Sequence, residues 1–223
     1  SAPMVKAILD GRKTQTRRVA KVGASVAESC PGAYWELSIR PQWADPDEDI
    51  FINQANPVGP ALRRRRRFPA GCKLWVKETF YYDLPDFKLD EFDPEHIYYR
   101  ADGKCCDQIP ECCHAEVGEV KWRPSIFMPR RASRIDLEVT ASRIERLRSI
   151  SADDARAEGL DFVGQGGARD GIHGLASSWS DDPRESFLAL WESINPSLSP
   201  GSSNPWVEVV TFKRVPKHGQ EAT

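Results

Sequence analysis

The sequence predicts a β-rich α+β fold in which a few short helices flank a small sheet of mixed strands, with long loop insertions. Two stretches carry the strand signal. Residues 134–147 alternate apolar with polar side chains, and residues 205–215 are apolar on both faces, which is typical of a central strand. Pro, Gly and Ser gather in several of the segments between the predicted elements, which indicates loops.

The composition is that of an ordinary globular protein. The 223 residues are 40% hydrophobic and 29% charged, enough for one domain with elaborations. No run of about 18 apolar residues is present to span a membrane. The amino terminus lacks the charged and apolar regions of a secretory signal, so we predict a cytoplasmic location. We also expect a further strand upstream of the first helix, because a β-rich domain seldom opens directly on a helix.

Charged residues gather in particular segments of the sequence. The formal net charge is −2, which argues against a protein that coats nucleic acid by bulk electrostatics. Arg63 to Arg67 nevertheless form an unbroken run of five arginines. This run is interpreted either as a solvated loop or as a patch that grips a few phosphates.

The amino-terminal half predicts a helix, loops and two strands. Residues 2–10 form the helix, with Gly11 suited to the position that ends it. Residues 21–72 are rich in Pro, Gly and charge and predict long loops. Leu74–Phe80 and Ile97–Ala101 predict strands.

The carboxy-terminal half predicts the longer elements. The alternation within 134–147 shifts phase before Ile144, which indicates a bulge or a break near Arg143. Ser151 and Asp154 predict the capping box of a short helix that Gly159 ends. Pro183–Ile194 predict a second helix, which is capped by Asp182, has Pro at its first position and carries one apolar stripe. That stripe comprises Phe187, Leu188, Leu190, Trp191 and Ile194.

We therefore predict a single domain over residues 1–215. Loop insertions are expected at about 21–70, 103–121 and 163–181, and a disordered tail at 216–223.

Six segments occur in an order that resembles a known family. They are GRKTQTRR at 11–18, KLWVKETF at 73–80, YYRADG at 98–103, WRPSIFMPRRASRI at 122–135, SADDARAEGL at 151–160 and NPWVEVVTFKRV at 204–215. The order is similar to that of ASCH-domain proteins of the long form found in bacteria and prophages. The resemblance implies a small PUA-like β-barrel associated with RNA. It also implies amidohydrolase activity, since some small ASCH proteins remove an acyl group from N4-acetylcytidine.

The resemblance carries three catalytic residues over to this chain. The lysine and second threonine of the family motif match Lys13 and Thr16, and the family's helix glutamate matches Glu158. Chemically, a threonine hydroxyl needs an adjacent base, and a lysine acts as base when its pKa falls well below about 10.4. A glutamate can position water or pass a proton to the leaving amine. The simpler alternatives are a strand threonine, a solvated lysine and a surface carboxylate at a helix end.

Strand geometry sets a condition on this trio. In a regular strand, residues 13 and 16 face opposite sides, so Lys13 and Thr16 converge only if the backbone turns near Thr14–Gln15. Glu78 is a further candidate, since a strand over 74–80 would turn its carboxylate to the apolar side. It is expected either to pair with an arginine or to serve in the pocket. Large aromatics are expected mainly in the core, with Trp75 and Trp206 on central strands. The residues predicted to bind substrate or nucleic acid are Arg12, Arg17, Arg18, Trp75, Lys77, Glu78, Arg130 and Arg131.

Alternative functions remain open at this point. One is a non-catalytic RNA- or DNA-binding module, and another is a ribonuclease that uses one of the scattered histidines. We predict no cofactor. The cysteine cluster is interpreted as a zinc site, as a reduced exposed loop or as a source of adventitious disulfides. It consists of Cys105, Cys106, Cys112, Cys113 and His114.

Overall fold

The computed structural model describes residues 2–20, 35–37, 48–53, 62–82, 96–103, 122–160, 182–201 and 203–216. Its helices are α1 (Ala2–Leu9), α2 (Ala152–Ala157) and α3 (Pro183–Ile194). Its strands are β1 (Gln15–Val19), β2 (Trp35–Leu37), β3 (Glu48–Asn53), β4 (Leu62–Arg65), β5 (Lys73–Trp75), β6 (Phe80–Tyr82), β7 (Ile97–Tyr99), β8 (Asp136–Arg146) and β9 (Trp206–Val215). The predicted α+β class with short helices is confirmed at this level.

The chain divides into two compact units, each assembled from separate segments. Unit 1 comprises Ser1–Thr14, Lys73–Glu138 and Lys213–Thr223, and unit 2 comprises Gln15–Cys72 and Val139–Phe212. Strands β8 and β9 each run from one unit into the other along the chain.

Unit 1 contains α1, two antiparallel strand pairs and a small core. Strand β5 pairs with the first residues of β8, and β6 pairs with β7. Helix α1 ends where Gly11 takes the left-handed conformation (φ +75°) and its N–H donates to Ile8, as the sequence predicted. The core residues are Phe80, Tyr82, Ile97, Met128 and Ala132, with Tyr99 packed against them.

Unit 2 contains the central strand β9, which lies between β1 and β8 in the strand order. Strand β9 is buried on both faces from Val207 to Val210, which confirms the predicted central strand. Helix α2 is capped by Ser151, whose hydroxyl accepts from the Asp154 N–H, and α3 is capped by Asp182, as predicted. The buried face of α3 consists of Pro183, Ser186, Phe187, Leu190 and Trp191.

Several predicted elements differ from the structure. The strand predicted over 74–80 is interrupted, because β5 ends at Trp75 and β6 begins at Phe80. Trp75 therefore lies on the end strand β5 rather than on a central one. Ile194 is 59% exposed and leaves the apolar stripe, since it lies in the last turn of α3.

The region predicted as long loops contains a small sheet. Strands β2, β3 and β4 pair antiparallel in that order. Each is three to six residues long, too short for its periodicity to stand out in the sequence. The sequence predicted a bulge or a break near Arg143; strand β8 continues through that residue, which excludes the break, and the buried phase changes between Val139 and Ile144 as predicted.

The cysteine cluster and the predicted insertion at 163–181 lie outside the described residues. Within the described part of the chain, no helix is long and apolar enough to cross a membrane.

Candidate functional site

The predicted catalytic trio is divided between the two units. Lys13 belongs to unit 1, whereas Thr16 and Glu158 belong to unit 2. Strand β1 begins only at Gln15, and the Lys13 N–H donates to the Ala7 carbonyl at 2.9 Å. Lys13 thus precedes the first residue of β1, and the turn expected between it and Thr16 stays a prediction. The convergence of the three side chains stays a prediction.

A buried guanidinium organises the unit 2 part of the motif. The Arg17 side chain is 0% exposed, and it donates to Gln15 Oε1 at 2.9 Å and Glu158 Oε1 at 3.0 Å. It also donates to Glu145 Oε1 at 2.8 Å and to Asp154 Oδ2 at 3.1 Å. We refer to these five residues, Gln15, Arg17, Glu145, Asp154 and Glu158, as the Arg17 cluster.

Local structure explains why the cluster forms. Gln15 and Arg17 are two residues apart on β1 and therefore share one face. The capped first turn of α2 holds Asp154, and Glu158 follows the last turn, where Gly159 at φ +84° ends the helix. Glu145 comes from β8. Strand β1, which carries the second half of the GRKTQTRR motif, is therefore joined to Glu158 through the Arg17 side chain.

A second arginine moderates the excess of negative charge. Arg143 Nη2 donates to Asp154 and Nε donates to Glu145 at 3.0 Å. Two guanidinium groups thus face three carboxylates. Burial alone would raise the pKa of Asp154, but the Gln15 hydrogen bond and the charges of Arg143 and Arg17 outweigh it and lower that pKa. The resulting stability is present above the ordinary Asp pKa and is lost as the pH falls through the lowered value.

The opposite face of β1 carries Thr16 and Arg18. Arg18 is exposed, and its direct cross-strand partner on β9 is Glu208. Glu208 is only 2% exposed, and its Oε1 accepts from the main-chain N–H groups of Arg67 at 2.9 Å and Phe68 at 3.1 Å. Ser142 Oγ lies 3.2 Å from the same oxygen. This buried carboxylate fixes the chain at the end of the arginine run.

Within the described part of the arginine run, the side chains alternate. Arg65 and Arg67 are exposed, whereas Arg66 forms a bidentate ion pair with the buried Asp49, with Nη2 to Oδ1 at 2.8 Å. The Arg67 guanidinium lies 5.3 Å from the centre of the Phe68 ring. The run is therefore anchored at two carboxylates rather than a freely solvated loop.

In unit 1, Glu78 forms a salt bridge with an arginine, which is one of the two roles that the sequence predicted for it. Its side chain is 1% exposed and accepts from Arg134 at 3.0 and 2.9 Å. Arg134 also donates to Asp102 at 3.0 and 2.7 Å and lies 4.0 Å from the Tyr99 ring centre. Burial would lower the pKa of Arg134, but its hydrogen bonds to Glu78 and Asp102 raise it above its usual value.

Tyr99 supplies a measurable pH dependence. Burial raises the pKa of its phenol to about 12, with Arg134 opposing that shift, and the hydroxyl donates to the Ala132 carbonyl at 2.7 Å. The folded protein therefore retains a proton that the unfolded chain loses near pH 10, so stability should fall between about pH 10 and 12. Urea unfolding at pH 9, 10 and 11 should show a smaller fall in Tyr99→Phe than in the wild type. Equal slopes for the two proteins would contradict the assignment.

Unit 1 also displays a cationic and apolar surface. Lys77 Nζ and the Arg130 guanidinium lie 5.2 and 5.7 Å from the Trp75 ring centre. Lys77 donates to the Ile126 carbonyl at 3.1 Å, and the Ile126 and Phe127 side chains are about 70% exposed. We refer to these five residues as the Trp75 surface.

The remaining predicted binding residues have different environments. Arg12 donates to Asp10 at 3.1 Å, and Arg131 is half-buried in unit 1. Arg17 is inside its cluster rather than on the surface where it was predicted to bind substrate, because its guanidinium is buried against three carboxylates. No group of three potential metal ligands occurs among the described residues.

The sequence interpretation missed Glu145, Asp154 and Gln15 as members of the site. Gln15 and Arg17 are polar side chains at alternate positions of β1, and this pattern is the signal that could have indicated a buried polar cluster on one face of the strand. Comparisons of the chain with protein-family models, curated proteins and solved structures found no match.

Proposed function

We propose that this chain is a cytoplasmic, ASCH-type amidohydrolase that removes an acyl group from a modified nucleoside such as N4-acetylcytidine. One observation supports the proposal most directly. Arg17, within the motif GRKTQTRR, holds Glu158 at 3.0 Å, so the strand that carries Thr16 and the predicted helix glutamate belong to one buried network. On the same resemblance, we propose that the antiparallel strands belong to a PUA-like barrel.

The chemistry assigns a role to each member of the trio. Thr16 Oγ1 attacks the acyl carbon as its proton passes to Lys13, and Lys13 gives that proton to the leaving nitrogen as the C–N bond breaks. The Glu158 carboxylate positions a water and takes its proton as the water oxygen attacks the acyl-threonine, and the proton passes to Thr16 Oγ1 when its bond to the acyl carbon breaks. Strand β1 lies at the end of the strand order among the described residues. Thr16 and the Glu158 network lie on opposite faces of this strand, so the proposed reaction requires the substrate to reach both around its edge.

The test is a panel of N-acylated nucleosides whose products are followed by mass spectrometry. We expect release of the free carboxylic acid and the parent nucleoside. Glu158→Gln should lower kcat by about 10²–10⁴-fold, since the carboxylate that accepts the proton of the hydrolytic water is lost. Asp153→Asn is the matched control on the same helix, because Asp153 is 95% exposed. Equal loss of activity in both variants, or no hydrolysis by the wild type, would contradict the proposal.

The Trp75 surface supports a second candidate, a nucleic-acid-binding module without chemistry. Exposed Phe127 offers a stacking face, and Lys77 and Arg130 offer positive charge. A binding module would retain RNA affinity in Glu158→Gln and lose it in Phe127→Ala. Fluorescence anisotropy with labelled RNA distinguishes the two functions, because only the enzyme releases acid.

A further inference from the structure

We propose that the substrate of this site is a polynucleotide rather than a free nucleoside, and that its phosphates bind Arg18, Arg65 and Arg67. This inference rests on the proposed function, since it names the substrate class of the same site. We refer to these three residues as the arginine surface. All three belong to unit 2, as does Thr16.

The register of β1 and β9 brings two distant basic segments together. Arg18 lies directly opposite Glu208, so their Cβ atoms are about 5 Å apart. Glu208 in turn binds the main-chain N–H of Arg67 at 2.9 Å. Arg18 and Arg67, separated by 49 positions in the sequence, are therefore both neighbours of one buried carboxylate.

Two buried carboxylates hold the segment that carries Arg65 and Arg67, so the arginine surface is ordered before it binds a ligand. Glu208 Oε1 holds two successive main-chain N–H groups, and Asp49 holds the Arg66 side chain. Because Arg66 turns inward, its neighbours Arg65 and Arg67 are both exposed. A loop that is already fixed loses less conformational entropy when its guanidinium groups bind phosphate.

The arginine surface also has a defined relation to the proposed nucleophile. Thr16 and Arg18 are two residues apart on one face of β1, which corresponds to about 7 Å along a strand. A phosphate held at Arg18 would therefore place the adjoining nucleotide within reach of the Thr16 hydroxyl. A free nucleoside has no phosphate and gains nothing from these arginines, so they favour a polymer.

The experiment compares one acylated base in two contexts. The substrates are N4-acetylcytidine itself and single-stranded RNA and DNA 12-mers that carry one such base. Hydrolysis is followed by mass spectrometry, and binding by fluorescence anisotropy from 50 to 200 mM salt. We expect kcat/KM to be at least about tenfold higher for the oligonucleotide. Three phosphate contacts predict a slope of about −2 for log affinity against log salt concentration.

Single substitutions of arginine test which residues bind the phosphates. Arg65→Gln and Arg67→Gln should each reduce the salt slope by about 0.7, and each should lower the ratio of oligonucleotide to nucleoside kcat/KM. Arg148→Gln is the control, because it removes one charge from an exposed residue of the same unit. An equal effect of all three substitutions would overturn the arginine surface, since it would indicate only net charge.

The outcomes separate the two proposals. Hydrolysis of the nucleoside with no preference for the oligonucleotide overturns the polymer substrate and leaves the amidohydrolase intact. Arginine-dependent binding without hydrolysis of either substrate overturns the amidohydrolase, and with it the polymer as a substrate. Displacement of RNA by polyglutamate as readily as by unlabelled RNA would indicate an acidic protein partner and overturn the inference. The RNA and DNA arms identify the polymer.

Discussion

Arg17→Ala should lower the free energy of unfolding by about 3–5 kcal/mol, because it leaves buried carboxylates without their partner. The guanidinium is 0% exposed and contacts three carboxylates, of which Glu158 is 7% exposed at its side chain. Once the arginine is removed, Arg143 still contacts Asp154 and Glu145. Urea denaturation at pH 7, followed by circular dichroism, measures the change.

Arg143→Ala provides the matched control. Its side chain is 43% exposed and contacts two of the same carboxylates, so solvent screens the charges that it leaves behind. We expect a loss of about 1 kcal/mol or less. If the two variants are destabilised equally, burial does not determine the importance of Arg17 and the account of the cluster is wrong. If Arg17→Ala does not fold, Arg17→Lys, which keeps the charge but loses the fork of donors, should give an intermediate loss.

Thr16→Ala should reduce the hydrolysis of an acylated nucleoside by about 10³-fold or more, because it removes the proposed nucleophile. Lys13→Ala should have a comparable effect, since the hydroxyl then lacks its base. The two losses should not add in the double variant if the residues act as one unit. Initial rates of acid release, measured with each variant at saturating substrate, give kcat directly.

Thr14→Ala is the control within the motif. Thr14 is exposed and lies just outside β1, so its loss should leave kcat within about twofold of the wild type. Retained activity in both Lys13→Ala and Thr16→Ala would remove the trio. Loss of activity in Thr14→Ala, with Thr16→Ala unaffected, would move the nucleophile to the other threonine of the motif.

Elements with strong local signals were predictable from the sequence. Helix α3 begins at Pro183 and ends at Ile194 as expected, because Asp182, Pro183 and the apolar stripe all act within one segment. Helix α2 follows for the same reason, with the Ser151 cap and Gly159 at its end. Central strand β9 was predictable because apolar residues fall on both of its faces, with Val207 and Val209 on one and Val210 and Phe212 on the other.

The Arg17 cluster was not predictable in this way, since its contacts join residues about 130 to 140 positions apart. The resemblance brought Glu158 to the motif but did not indicate Arg17 as the residue that binds it. Nor does the sequence show which arginine pairs with Glu78, because Arg134 reaches it across 56 positions. Partner choice among many charged residues depends on the tertiary packing.

The division of the chain into two units with interleaved segments has a practical consequence for protein engineering. Unit 1 draws on both ends and the middle of the chain, and unit 2 fills the two intervals between them. A truncation that extends past Thr14 from the amino terminus, or past Lys213 from the carboxy terminus, therefore removes part of both units, and cutting within β8 or β9 divides a strand that each unit uses. Fragments should lose cooperative unfolding, whereas a circular permutant that keeps β8 and β9 intact should preserve it.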